Sequence, residues 1–247
     1  MKRPKIWAHR GASGYLPENT IVAFERAIQL GADGIELDIH KTADNQIVVI
    51  HDEKINRTSN GRGKVKSYTL EELRRYNYNA TQRGCEHADI PTMGQVFELI
   101  QPTNLTINIE LKNGVEFYED LEADILKMTK EYEMLDRVIF SSFNHYSIMK
   151  IKELEPKAAT GFLYSDGPLD MPDYGRRHGV DALHPAFYNL KYPGFVEEAH
   201  EVGLAINTWT VNTQDNLHKA CKLGVDGIIT NFPDLAKEIV DTYSWDK

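Results

Sequence analysis

The sequence predicts an α/β protein, a closed (β/α)8 barrel, and three observations carry that expectation. Short runs rich in Ile, Val and Leu recur near residues 4–8, 34–39, 46–50, 105–111, 137–141, 180–183, 203–208 and 225–229, with helical periodicity in most intervals between them. That is the pattern of βα units around a parallel sheet. Three helix-to-strand joints are near copies: LGADGIEL (30–37), HGVDALHP (178–185) and LGVDGIIT (223–230), with EVGLAINTW (201–209) a looser fourth. Each offers a glycine to end a helix before an apolar strand, and repetition of one such unit favours a closed barrel over an open sheet. Finally, 247 residues suit a single barrel domain.

The elements follow in order. The first run ends at His9-Arg10, after which Gly11 and Gly14 supply flexible backbone and Pro17-Glu18-Asn19-Thr20 restarts order. Ile21, Phe24, Ala27 and Ile28 then fall at helical spacing. In GIELDIH (34–40), strand alternation places Ile35, Leu37 and Ile39 on one face and Glu36, Asp38 and His40 on the other. TINIELK (106–112) alternates likewise, with Asn108, Glu110 and Lys112 on the polar face. QIVVIHD (46–52) brings His51 to a strand end beside Asp52. Residues 53–91 break the rhythm: turn-rich and basic, with Arg57, Arg62, Lys64 and Lys66 and a short helix from Thr69, they read as an insertion after the second strand region. The stretch 116–135 reads as an amphipathic barrel helix and 185–195 as a loop at the mouth.

Charge narrows the partners. A net charge of −9 argues against nucleic acid and against stable association with an anionic membrane, so an anionic substrate needs local cations. Cys85 and Cys221 show no CxxC spacing, which points to free thiols in a reducing compartment. The basic start MKRPKIWAHRG has too short an apolar run for a signal peptide, and no run of 18 apolar residues occurs. A cytoplasmic location is expected, and the oligomeric state is left open.

The two polar strand faces aim carboxylates at one barrel end. Gathered carboxylates repel unless protonated, paired or metallated. Three of them beside neutral oxygen donors suit a hard divalent cation, Mg2+ or Ca2+, better than zinc. The alternative is ion pairing of Glu36 and Asp38 with Arg10 and Lys112, a costly use of buried charge when its role is only structural. His9 and His51, each at a strand end on the same side, suit a proton donor and acceptor for breaking a P–O bond.

These same residues carry a resemblance. The run AHRGASGYLPENTIVAFERAIQLGADGIELDIHKTADNQIVVIHD (8–52) resembles the N-terminal signature of the glycerophosphodiester phosphodiesterase family. IELK (109–112), SSFN (141–144), INTWTVN (206–212) and GVDGIITNFPD (224–234) continue the likeness in order. The resemblance implies a TIM barrel that hydrolyses a small-molecule glycerophosphodiester to sn-glycerol 3-phosphate and an alcohol with a divalent cation. It implies His9 and His51 as the acid/base pair, Glu36, Asp38 and Glu110 as metal ligands, and Arg10 and Lys112 at the phosphate. It makes Trp209 an aromatic wall and His184 a weaker substrate candidate. Asn19 is expected to be chiefly structural, and Glu18 either a loop anchor or an outer partner of the site. A lysophospholipase D-like or phosphoinositide phospholipase-like relative is the nearest rival; it calls for an apolar rim helix or loop, and none is legible. A barrel that only binds phosphorylated metabolites would not need both the acid/base pair and the full acidic trio, and a metal-dependent sugar isomerase is a third possibility that the absence of phosphate release into product would favour.

Overall fold

Backbone pairing closes a ring of eight parallel strands in the computed structural model, which describes residues 2–82 and 84–245. The chain runs β1 (Lys5–His9), α1 (Ile21–Gln29), β2 (Gly34–Lys41), β3 (Ile47–Val49), α2 (Leu70–Leu73), α3 (Met93–Ile100), β4 (Thr106–Leu111), α4 (Leu121–Glu131) and β5 (Val138–Ser142). It continues with α5 (His145–Leu154), β6 (Ala159–Tyr164), α6 (Met171–His178), β7 (Ala182–Pro185), α7 (Phe195–Glu201), β8 (Ala205–Thr208), α8 (Gln214–Leu223), β9 (Gly227–Thr230) and α9 (Pro233–Thr242). The ring order is β1-β9-β8-β7-β6-β5-β4-β2, closed by β1 on β2.

Two strands correct the sequence reading. The run at 46–50 becomes β3, which pairs antiparallel with β2, Ile39 opposite Val49, and lies outside the ring. The eighth barrel strand is β6 in its place. Its sequence ATGFLY opens with small residues because it packs on a histidine: a Cβ at Gly161 would collide with His184. An apolar count passes over such a strand.

The repeated joints have a common construction. Gly179 and Gly224 end α6 and α8 at φ of 67° and 72°, and Gly31 follows α1 at 75°, the left-handed region where glycine is unstrained. The aspartates after them fasten neighbouring strands at the N-terminal end of the barrel. Oδ2 of Asp33, Asp181 and Asp226 accepts the backbone N–H of Ile6, Thr160 and Ile206, each at 2.8 Å.

Outward strand residues and inward helix residues make one continuous core, with Ile6, Ile35, Leu37, Ile109 and Phe140 meeting Phe24, Phe97 and Ile125. In α1, Thr20 caps the first turn by accepting from Ala23 N, and Ala23, Phe24 and Ala27 are buried. The excursion after β3 has a small core of its own: Val48, Ile50, Ile55, Val65, Leu73, Tyr78 and Ile90. Thr69 caps α2 there through a capping box. Among the described residues no helix is long and apolar enough to cross a membrane.

Candidate active site

Register delivers the charged residues to one level. With Ile35, Leu37 and Ile39 facing the helices, Glu36, Asp38 and Glu110 must face the barrel interior. Parallel pairing sets His9 opposite Glu36 and Asp38 opposite Glu110. All three carboxylates are buried, and one oxygen from each lies within 4.8 Å of the others.

The ion pairs weighed from the sequence are partly present. Lys112 Nζ lies 2.8 Å from Glu110 Oε1 and 3.7 Å from Asp38 Oδ1, and Arg10 Nε lies 3.4 Å from Asp38 Oδ2. Asp38 Oδ2 also accepts from Asn19 Nδ2 at 2.9 Å, while its Oδ1 is buried without a hydrogen-bond partner among the described residues. Counting Glu18 and Asp52 with the three, five carboxylates meet three fixed cations among the described residues, Arg10, Arg57 and Lys112, so full ionisation would leave two negative charges uncompensated. Burial and the adjacent Asp38 push the Glu36 carboxyl well above its ordinary range, and burial raises Glu110 too. For Asp38 burial acts upward, but Arg10, His51 and Lys112 hold it far below the usual carboxylate range. An orphaned carboxylate oxygen in an all-oxygen cluster with excess negative charge fits a hard divalent cation.

The histidines are oriented by separate partners. His9 Nδ1–H donates to Asn231 Oδ1 at 2.6 Å, which leaves Nε2 as the acceptor, 3.9 Å from Glu36 Oε2. Burial, with Arg10 beside it, pushes His9 down to about 4, so the ring is neutral near pH 7. His51 Nδ1–H donates to Asp52 Oδ1 at 2.7 Å. Partial burial opposes ionisation of Asp52, but hydrogen bonds from Arg57 and His51 bring it down to about 2.

Arg10 leaves β1 with φ 55°, in the left-handed region, and its N–H donates to the carbonyl and Oε2 of Glu36 at 2.8 and 3.1 Å. Gly11 follows at φ 80°, where a Cβ would come within 2.7 Å of the Ala23 backbone. Gly14 lies within the following turn, where Tyr15 N–H donates to Ala12 O at 3.0 Å, and its missing Cβ also makes room for the Phe232 ring. Glu18 accepts from Arg10 Nη1 at 2.8 Å, so it acts as the anchor of that arginine.

A cavity of about 120 Å3 opens at the mouth. His9, Arg10, Glu36, His51, Asn108 and Glu110 form its polar side, and Phe143, Leu163, Trp209 and Ile229 its apolar side. Trp209 is held by Nε1 donating to His184 O at 2.9 Å and by an edge-on contact with Phe143 at 5.6 Å. Asp38, Lys112 and Glu18 stand behind this wall, tied to it through Arg10 and Glu110. His184 is not in the wall. It is fully buried in the barrel interior, its Nε2 accepts from Asn207 at 3.0 Å, and burial pushes it down to about 3.

Two participants are not singled out by the sequence reading. Asn231 orients His9 and is itself held by Asn212 Oδ1, which accepts from its backbone N–H at 2.8 Å; its place two residues past Ile229, on the inward parity of β9, was the available signal. Phe143 sits in SSFN, two residues past the inward-facing Ser141 of β5, so the same strand parity was its signal. The basic residues of the excursion bind carboxylates rather than the cavity: Lys64 and Lys66 pair with Glu116, and Arg57 with Glu18 and Asp52. The rim is also more apolar than expected. Tyr15, Val115, Phe117, Phe143, Tyr146, Leu169, Tyr188 and Tyr192 are exposed, all on segments that follow barrel strands at the mouth.

A closed barrel with its titratable cluster at the C-terminal ends of the strands is the layout of the barrel enzymes. The family model for the glycerophosphoryl diester phosphodiesterase family matches residues 9–235. The chain is 43% identical over 237 residues to a glycerophosphodiester phosphodiesterase of Caldanaerobacter subterraneus subsp. tengcongensis, covering 95% of this chain and 97% of the relative. It is 40% identical to one of Bacillus altitudinis, covering 95% and 97%. Among solved structures it is similar to an Oleispira antarctica phosphodiesterase in complex with the product sn-glycerol-3-phosphate, with TM-score 0.87, 26% identity and 97% of each chain covered. The chain belongs to the glycerophosphoryl diester phosphodiesterase family, a family of enzymes.

Proposed function

We propose that this chain acts as a single barrel domain that hydrolyses glycerophosphodiesters to sn-glycerol 3-phosphate and an alcohol. The observation that carries the reading is the convergence, in and just behind the wall of one cavity, of two separately oriented histidines with a buried acidic trio whose Asp38 Oδ1 has no hydrogen-bond partner among the described residues. Glu36, Asp38 and Glu110 would hold a divalent cation, Mg2+ or Ca2+, whose chemistry there is to polarise phosphoryl oxygen and offset its charge. Arg10, anchored by Glu18, presents its planar fork to the phosphate, and Lys112 adds positive charge from behind Glu110. Neutral His9 accepts, at Nε2, the proton of the attacking hydroxyl, whether of water or of the substrate's own glycerol. His51, its ring oriented by Asp52, delivers a proton to the leaving alcohol. Trp209 and Phe143 pack on the glycerol carbons.

The deciding experiment is product analysis on glycerophosphocholine with Mg2+, with Ca2+ and with chelator. Release of glycerol 3-phosphate and choline only with a cation is expected; release of phosphocholine, or full turnover in chelator, would refute the reading. The exposed rim around Phe143, Leu169, Tyr188 and Tyr192 favours a second reading, lysophospholipase D-like cleavage. A kcat/KM for lysophosphatidylcholine above that for glycerophosphocholine would establish it.

A further inference from the structure

We propose that Arg57, which lies on the excursion and not in the cavity wall, is a positioning residue that locks His51 and Arg10 into one frame. Its guanidinium spends four contacts on two carboxylates. Nε donates to Asp52 Oδ2 and Nη2 to Asp52 Oδ1, both at 2.9 Å; Nη1 donates to Glu18 Oε2 at 2.7 Å and Nη2 to Glu18 Oε1 at 2.8 Å. The two oxygens that share Nη2 are the ones that hold the site. Asp52 Oδ1 accepts from His51 Nδ1 at 2.7 Å, and Glu18 Oε1 accepts from Arg10 Nη1 at 2.8 Å. Arg10 in turn reaches Asp38. One side chain thus joins the histidine of the β3 loop to the arginine that follows β1, elements the sheet does not otherwise connect at the mouth. An exposed ion pair contributes little by itself, but Glu18 is largely buried here and the planar fork is used in both directions, a geometry an ammonium cannot reproduce. Arg57 is seated by the small core beneath it, through Ile55, so the excursion is a working part of the site.

The proposal rests on the hydrolytic reading above, and two readouts keep them apart. In steady-state kinetics on glycerophosphocholine, Asp52→Asn should lower kcat with KM nearly kept, and Glu18→Gln should raise KM with kcat nearly kept. Arg57→Gln should do both, with kcat/KM down about ten- to a hundredfold, the usual scale for losing an outer-shell partner; Arg57→Lys should recover little. In metal-free protein labelled with nitrogen-15, the His51 Nδ1–H resonance, assigned by its loss in His51→Gln, should be present in the wild type and lost in Arg57→Gln and Arg57→Lys. An Arg57→Gln protein that keeps kcat and KM within about twofold, a lysine that restores both, or an unchanged His51 resonance would overturn the proposal. If the wild type releases no glycerol 3-phosphate, the hydrolytic reading fails while the resonance still decides whether Arg57 sets His51. Should Arg57→Gln not fold, Arg57→Lys carries the same comparisons.

Discussion

At the scale of single residues the site is a balance of charge. Among the described residues Glu36 has no arginine or lysine side chain at ion-pairing distance, only the backbone N–H of Arg10 and the more distant His9 ring. Glu36→Gln is nearly isosteric and should leave the fold intact while removing a ligand, so metal-dependent turnover should disappear and calorimetric binding of Mg2+ or Ca2+ should weaken; unchanged turnover in chelator would refute it. For the histidines, His9→Ala and His51→Ala should each lower kcat about 10^2- to 10^4-fold, with KM changed far less. A variant that loses affinity and keeps kcat would move that histidine from proton transfer to binding. Asn231→Ala should resemble a milder His9 variant, since it frees the ring to rotate without removing Nε2.

At the scale of elements, alternation made the trio legible: a strand whose odd residues are Ile35, Leu37 and Ile39 must turn Glu36 and Asp38 the other way. Periodicity could not show which strands enter the ring. Val48 and Val49 are as apolar as any barrel strand, yet they pair antiparallel outside it, whereas β6 reads as weak because its inward positions Ala159 and Gly161 are small. Arg57 and Asp52 were visible as charged residues but not as partners, because their meeting depends on how 53–91 folds back. The small inward residues of β6 have a testable origin. Gly161→Ala would drive a methyl group into the buried His184 ring, and overpacking of this kind costs about 1–3 kcal/mol. Urea unfolding should show that loss, and in the Gly161→Ala, His184→Ala double variant the glycine substitution should become nearly neutral, since the ring it strikes is gone; additive losses would show that Gly161 answers to its backbone instead.

The whole molecule carries −9 and encloses several groups whose protonation the fold opposes or favours, so its stability must depend on pH. His184 gives a clean probe because it is fully buried and lies outside the acidic trio. Burial moves it from an ordinary 6.5 to about 3. Between those values the unfolded chain binds a proton there that the folded protein refuses. Stability therefore falls as pH drops through that window, by at most about 1.4 kcal/mol per pH unit from this one ring, and the ring has no effect above it. His9 acts in the same direction from about 4. Glu36 and Glu110 oppose both: their raised carboxyls keep protons that the unfolded chain has released, so they favour the fold as pH falls toward the ordinary carboxylate range. The wild-type curve mixes all four, but the difference between wild type and His184→Asn isolates one. The variant loses packing at neutral pH, and its deficit should then shrink steadily as urea unfolding is repeated from about pH 6.5 down to pH 4. A deficit that stays constant over that range would mean His184 titrates alike in the folded and unfolded chains, and that its buried ring is reached by solvent after all.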